Sequence, residues 1–257
     1  MIRRIQLAPI VLALGLISGS AYAALQGRDL NGSVGSFEAY YDTDLDITWL
    51  ADANYAMASG YDADGAMTWA AANTWAANLS LVDAVKNITY DNWRLPTVNP
   101  VNGTSFNYNF SYNGSTDSGY NVSEQGTAYA GSTGSEMAHL FYNTLNNKSY
   151  CDPAFSTASS CSGPQAGSGL TNTGPFTNLQ GNYYWSGLEY ALDTSNAWVF
   201  HFFYNGYQNE TDKNTALYAL AVSPGDVGAV AAVPEAQTYA LMLAGLGLIG
   251  WRARRRG

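Results

Sequence analysis

Residues 37–50 read FEAYYDTDLDITWL, and this stretch sets the start of the fold. Aromatic and β-branched residues stand at both of its ends, around a turn-rich acidic centre. This pattern is typical of a strand, a tight turn and a second strand. We therefore predict a β-hairpin at the start of the globular part of the chain.

Two helices are predicted after the hairpin. Residues 67–82 (MTWAAANTWAANLSLV) place apolar side chains on one face at helical spacing. Residues 135–145 (SEMAHLFYNTL) form the second, with Thr133 and Glu136 as a capping box. Long loops are predicted at 96–134 and 146–181, followed by strand-like runs at 183–187, 197–204 and 216–222. This order indicates an α+β domain.

The first 23 residues are typical of a secretory signal peptide. Arg3 and Arg4 precede an apolar segment, and Ala21-Tyr22-Ala23 fits the small-x-small cleavage rule. Signal peptidase is therefore an expected partner, and the mature chain is expected to work outside the cytoplasm.

The other end of the chain has three parts in a fixed order. An uncharged run of 14 residues, 238–251, is short against the roughly 20 residues that span a bilayer. We predict a short C-terminal hydrophobic helix here, anchored by cytoplasmic arginines. The motif before the run is Val233, Pro234, Glu235 and Ala236. The basic cluster after it is Arg252, Arg254, Arg255 and Arg256.

This tail resembles the PEP-CTERM sorting signal, which exosortase-type membrane transpeptidases process. Ala236 departs from the strict Pro-Glu-Pro form of that signal. The resemblance implies transient anchoring in the inner membrane, cleavage near Pro234-Glu235, and delivery to the cell surface or extracellular matrix. The alternative is a plain C-terminal anchor that stays attached.

Several short strings in the body resemble the Lcl C-terminal domain-like family of bacterial surface proteins. The most specific is Trp-Arg-Leu-Pro-Thr at 93–97. The chain departs from the family at 220–225, where an aromatic residue and a base are missing. The resemblance implies a C-type lectin-like fold over residues 24–228, with a twisted antiparallel sheet, two helices and long loops; residues 229–257 are then the sorting tail. The family residues, to which we assign structural roles, are Trp49, Trp93, Arg94, Leu95, Pro96, Trp185 and Trp198.

Charge is distributed unevenly. Residues 24–233 contain five bases and nineteen acids, and the other bases lie at the two ends. An acidic body repels phosphate, so we expect no nucleic-acid binding, and polyanionic glycans are disfavoured for the same reason.

Cys151 and Cys161 lie ten residues apart in a loop-like stretch. In an oxidising compartment we expect them to form a disulfide that closes a small ring, with free thiols as the alternative.

Other residues are candidates for a site. Asp42, Asp44 and Asp46 alternate as in a calcium loop, but Ile47 and Ala53 occupy the glycine and glutamate positions of an EF-hand, and we favour solvated turn acids. Loop tyrosines combine rigid amphipathic area with a hydroxyl group and suit ligand contact; they are Tyr108, Tyr112, Tyr120 and Tyr129.

Structural roles are expected for the remaining candidates. Arg94 is predicted to pair with a carboxylate and to brace loops. His139 and His201 have no motif for zinc or a catalytic triad around them.

Three functions remain open from the sequence. The first is a non-enzymatic surface or matrix protein that binds polysaccharide or another envelope component, with no cofactor except, as an option, calcium. The second is an oxidase-type enzyme on a lectin-like fold, which would depend on reactive thiols. The third is a purely structural matrix protein.

Overall fold

The predicted hairpin is present in the computed structural model, which describes residues 25–33, 35–203 and 206–229. Strands Ala39–Asp42 and Ile47–Leu50 pair antiparallel. Asp46 lies in the turn with a φ of 50°, in the left-handed region that Asn, Asp and Gly tolerate best. The signal peptide and the sorting tail lie outside the described residues.

The described residues form a mixed α+β structure with more sheet than helix. The elements, in chain order, are β1 (Leu25–Arg28), β2 (Ala39–Asp42), β3 (Ile47–Leu50), α1 (Tyr55–Ala58), α2 (Trp69–Asn78), β4 (Leu81–Asp83), β5 (Ile88–Tyr90), β6 (Phe110–Ser111), β7 (Ser118–Tyr120), α3 (Glu136–His139, continued by a π-helical turn Leu140–Thr144), β8 (Tyr183–Glu189), β9 (Asn196–His201), β10 (Tyr207–Asp212) and β11 (Val222–Pro224).

The strands form three sheets in the described part of the chain. One has four strands in the order β1-β2-β3-β11, and one has five in the order β6-β7-β10-β9-β8. A two-stranded ribbon joins β4 to β5. Every pair is antiparallel except β6 with β7, which is parallel. The resemblance predicted one antiparallel sheet and two helices. The described residues instead form three sheets, one with a parallel pair, and three helices.

Other predictions about individual elements need correction. The helix predicted at 67–82 is α2, which is shorter than predicted. It begins at Trp69, after the cap Thr68, and ends at Asn78, and Leu81–Asp83 forms β4 instead. The capping box was wrong: Ser135 caps α3 by accepting a hydrogen bond from the Ala138 N–H. The run 216–222 contributes only its last residue to a strand.

The core lies between the two larger sheets and the helices. Trp49, Trp185 and Trp198 are all 0% exposed. Trp185 is fixed by an indole N–H bond to the Met67 carbonyl oxygen, 2.8 Å away. Trp69 is half-buried, with Lys213 Nζ 4.4 Å from its ring centroid. Within the described ranges, no helix has the length and apolar character needed to cross a bilayer.

Candidate ligand-binding surface

A row of aromatic side chains crosses one face of the five-stranded sheet. The pairing places Tyr183 opposite His201, His201 opposite Tyr207, and Tyr207 opposite Tyr120. Directly opposed residues of neighbouring antiparallel strands project from the same face. Tyr112, just after β6, stacks on Tyr120. We call these five residues the aromatic row.

The rings of the aromatic row contact one another without a break. Centroids lie 3.9 Å apart for Tyr183 and His201, and 5.1 Å apart for His201 and Tyr207. They lie 5.2 Å apart for Tyr207 and Tyr120, and 5.7 Å apart for Tyr120 and Tyr112. Since strands are spaced about 4.8 Å apart, the row extends roughly 20 Å across the sheet.

Two more exposed rings flank the aromatic row. Phe110, 5.2 Å from Tyr112, is 46% exposed, and Phe203, 6.1 Å from His201, is 42% exposed. Phe203 and Gly181 also line a cleft of about 310 Å³ together with residues 168–171. The row is thus a half-exposed surface with a cleft beside it.

The aromatic row carries no charge at neutral pH. Burial lowers the pKa of His201, which is 8% exposed, to about 4, so its imidazole is neutral. Burial raises the pKa of Tyr120 and, together with the hydrogen bond to the Tyr183 hydroxyl, that of Tyr207. The row therefore offers ring surface and neutral hydroxyl groups.

The four tyrosines predicted as contacts lie in three places. Tyr112 and Tyr120 belong to the aromatic row. Tyr108 is half-buried and stacks at 6.0 Å on Trp198 in a small separate core. Tyr129 packs against the main core. Sequence analysis missed Tyr183 and Tyr207, which strand alternation alone does not distinguish from core residues.

The carboxylate partner of Arg94 is Glu136. Two nearly parallel bonds, of 2.8 Å and 2.7 Å, join the guanidinium to the carboxylate. Glu136 Oε2 also accepts the Thr97 N–H at 2.7 Å. These bonds join the Trp-Arg-Leu-Pro-Thr string to the start of α3.

The three alternating aspartates do not form a cluster. Asp42 is buried, and its carboxylate accepts bonds from Thr144 Oγ1 at 3.0 Å and from backbone N–H groups of its own turn. Asp46 accepts the Tyr41 hydroxyl, and Asp44 stands 3.7 Å from the imidazole of His139. Among the described residues, no group of three or more His, Cys, Asp or Glu is placed to hold a metal.

The predicted disulfide joins Cys151 to Cys161, whose Cα atoms lie 5.1 Å apart. The structure describes both cysteines of the chain, and neither is free. Cys151 is completely buried, and its carbonyl oxygen accepts the Asn121 side-chain amide at 2.9 Å. The loop that carries the disulfide is thus fixed to the end of β7.

Next to the aromatic row lies a buried polar turn, Asn121–Glu124. Asn121 and Ser123 have φ values of 64° and 62°, in the left-handed region that is costly for serine. Glu124 is 7% exposed, and burial raises the pKa of its carboxyl group to about 8. The turn directly follows Tyr120 and therefore adjoins the row at that ring.

Comparisons with known proteins match the tail of the chain. The model of the PEP-CTERM protein-sorting motif matches residues 232–256. The tail is a PEP-CTERM sorting motif. Such a motif indicates an exported protein that an exosortase-type enzyme processes and sorts to the cell surface. No curated protein and no solved structure matches the chain, so the lectin-like body stays a prediction.

Proposed function

We propose that the exported domain is a non-enzymatic binding protein that holds an uncharged polysaccharide of the cell envelope along the aromatic row. The observation that carries this proposal is the register of the five-stranded sheet, which brings together aromatic side chains from separate segments. The PEP-CTERM motif supports a location where such polymers occur. The resemblance of the body to lectin-like surface domains favours the same ligand class.

The chemistry of the aromatic row suits a sugar chain. Pyranose rings have apolar C–H faces and a rim of hydroxyl groups, and tyrosine combines an apolar ring with a hydroxyl of its own. Tyrosine also has few rotatable bonds, so little entropy is lost when it is fixed against a ligand. A row of about 20 Å suits several consecutive sugar units better than one.

Charge supports a neutral polymer over an acidic one. Residues 24–233 have nineteen acids against five bases, while the aromatic row is uncharged. An acidic chain approaching the row meets like charge from the rest of the domain, whereas a neutral chain pays no such cost.

Thiol chemistry is disfavoured by the state of the cysteines. An oxidase that depends on reactive thiols would need Cys151 or Cys161 reduced, and the two are bonded to each other. A titration of the native protein with a thiol reagent checks this: two reactive thiols would reopen the enzyme hypothesis.

Co-sedimentation of the full chain in mild detergent with insoluble neutral polysaccharides tests the proposal. Tyr112→Ala removes the ring at one end of the row, Phe110→Ala removes the exposed ring beside it, and we expect each to weaken binding several-fold. Tyr61→Ala is the matched control, because Tyr61 is 52% exposed and lies outside the row. Equal loss in all three variants, or no binding to any neutral polymer with or without calcium, would favour a purely structural role.

A further inference from the structure

Another cavity, of about 210 Å³, shares no lining residue with the aromatic row or with the cleft beside it. Backbone hydrogen bonds join three of the segments that form its walls. The Ala51 N–H donates to the Glu38 carbonyl oxygen at 2.8 Å, and the Thr177 N–H donates to the Ala51 carbonyl oxygen at 2.9 Å. The cavity is therefore fixed by the fold. We call it the hairpin cavity, because residues of β2 and β3 line it.

Three aromatic side chains line the hairpin cavity, and they come from two separate segments. The rings of Phe37 and Tyr40 meet edge to face with centroids 6.2 Å apart, and Tyr55, the first residue of α1, supplies the third ring. Phe37 is 54% exposed, yet its ring lies against the backbone of Gly27, where a Cβ atom would overlap it. Glycine thus makes room for this ring beside the cavity.

Two carboxylates line the same cavity, and both are bonded to neutral donors. Glu38 accepts the Leu30 N–H at 3.0 Å, and Asp52 accepts the Asn54 N–H at 2.9 Å. The side chains that donate to them are amides and a hydroxyl. Neither carboxylate forms an ion pair within 4.0 Å with a base in the described ranges. The negative charge at the cavity is therefore not neutralised by the protein.

The base closest in the sheet, Arg28, is directed elsewhere. Its guanidinium bonds to Asp226 and lies 5.3 Å from the ring centroid of Tyr41. Tyr40 and Tyr41 are successive residues of β2 and project from opposite faces of the sheet. Arg28 thus lies on the face away from Tyr40. Other bases paired with acids outside the cavity are Lys86, Arg94 and Lys213.

We propose that the hairpin cavity binds a small organic cation of the alkylated ammonium class. Such a group is attracted to the faces of aromatic rings and needs few hydrogen bonds, and the carboxylates of Glu38 and Asp52 add Coulomb attraction. A hard metal ion, in contrast, prefers a shell of oxygen ligands over ring carbons. A cavity of about 150 Å³ holds benzene, so the hairpin cavity suits a ligand somewhat larger, of the size of choline. This site does not depend on glycan binding by the aromatic row.

Isothermal titration calorimetry of the full chain in a non-ionic detergent, with choline as the probe, tests the proposal. The matched control ligand is 3,3-dimethylbutan-1-ol, which has the shape of choline and no charge. We expect saturable binding of choline that weakens as salt is added, and much weaker binding of the neutral alcohol. Equal binding of the two would mean that the cavity recognises apolar shape alone, and it would overturn the proposal.

Two variants with matched controls locate the binding. Phe37→Leu removes one ring and should weaken choline binding about two- to fivefold, the value of one cation–π contact at an exposed site. Phe155→Leu is its control, because Phe155 is 76% exposed and does not line the cavity. Asp52→Asn removes one charge and should weaken binding severalfold. Asp212→Asn is its control, since this carboxylate also accepts two neutral donors, outside the cavity.

The exposure of Phe37 makes Phe37→Leu a variant that should fold, so the test does not depend on Asp52→Asn. Far-UV circular dichroism checks the fold of each protein. The proposal is overturned if choline shows no saturable binding in the millimolar range, if folded Phe37→Leu binds as the wild type does, or if the control variants weaken binding as much as the cavity variants.

Discussion

Protonation of His201 should destabilise the domain in mildly acidic solution. The imidazole is buried in the aromatic row, stacked on Tyr183 at 3.9 Å, and its Nδ1 has no hydrogen-bond partner among the described residues. Burial lowers its pKa from 6.5 to about 4. The folded state therefore favours the neutral ring, and the unfolded chain binds the proton more tightly.

The sign and size follow from these two pKa values. Between pH 6.5 and pH 4 the unfolded state carries more protons, so stability rises with pH in this window and is lost as the pH falls. The loss from this one residue is about 1.4 kcal/mol at pH 5.5 and about 3 kcal/mol at pH 4, from 1.36 kcal/mol per pKa unit. Above about pH 7.5 the unfolded state no longer binds this proton either, and His201 contributes almost no slope.

The measurement must isolate His201 from other groups. Glu124, with a pKa raised to about 8, gives the opposite slope, because its protonated form is favoured in the folded state. Urea unfolding of wild type and His201→Phe from pH 4 to pH 8 supplies the difference between the two proteins, in which the Glu124 contribution cancels. Phenylalanine keeps a ring against Tyr183 and does not titrate.

We expect His201→Phe to be close to the wild type at pH 8 and more stable than it by about 3 kcal/mol at pH 4. A difference that stays constant over this range would refute the reasoning, since it would mean that the imidazole is as accessible to protons in the folded state as in the unfolded chain.

Other predictions concern the scaffold and use unfolding in urea. Reduction of the Cys151–Cys161 disulfide should lower the free energy of unfolding by at most about 3 kcal/mol, because it closes a short loop; a loss of all structure would contradict this. Glu136→Ala should cost about 3 kcal/mol, the low end for a broken buried pair because the Arg94 side chain is 36% exposed; a cost below 0.5 kcal/mol would contradict the bracing role. Gly119→Ala should cost at least about 2 kcal/mol, because φ is +126° and a Cβ would overlap a carbonyl oxygen of β6; an unchanged urea midpoint would rule out this overlap.

Local patterns predicted the hairpin, because each of its strands is specified by its own residues. Strand β10, which lies between β9 and β7, shows where such patterns fail. The central strand β10 reads YQNETD, which has little strand character. Gln208 is buried there because its amide donates to the Asp117 carbonyl oxygen at 2.7 Å and its Oε1 accepts the Ser135 hydroxyl. Partners 91 and 73 residues away satisfy the glutamine, and no short-range pattern identifies them.

The sequence predicted that tyrosines form the candidate site, but it did not predict which tyrosines. Tyrosines in the long loops suggested ligand contact, and Tyr112 and Tyr120 do lie in the aromatic row. Tyr183 and Tyr207 join them only through the register of β8, β9 and β10. A shift of one residue in that register would turn each ring to the opposite face, so long-range pairing decides which rings share the surface.

In the proposed function, the aromatic row supplies the contacts with the polymer, and the acidic body repels acidic polymers. Ring contacts act within a few ångströms and do not discriminate strongly between neutral and acidic sugars. Repulsion by the acidic body acts over the Debye length, about 10 Å at 0.1 M salt and about 3 Å at 1 M. Selectivity against acidic polymers should therefore weaken as salt is added, while binding of a neutral polymer should hold. An acidic polymer that binds better at low salt than at high salt would show instead that bases cluster beside the row.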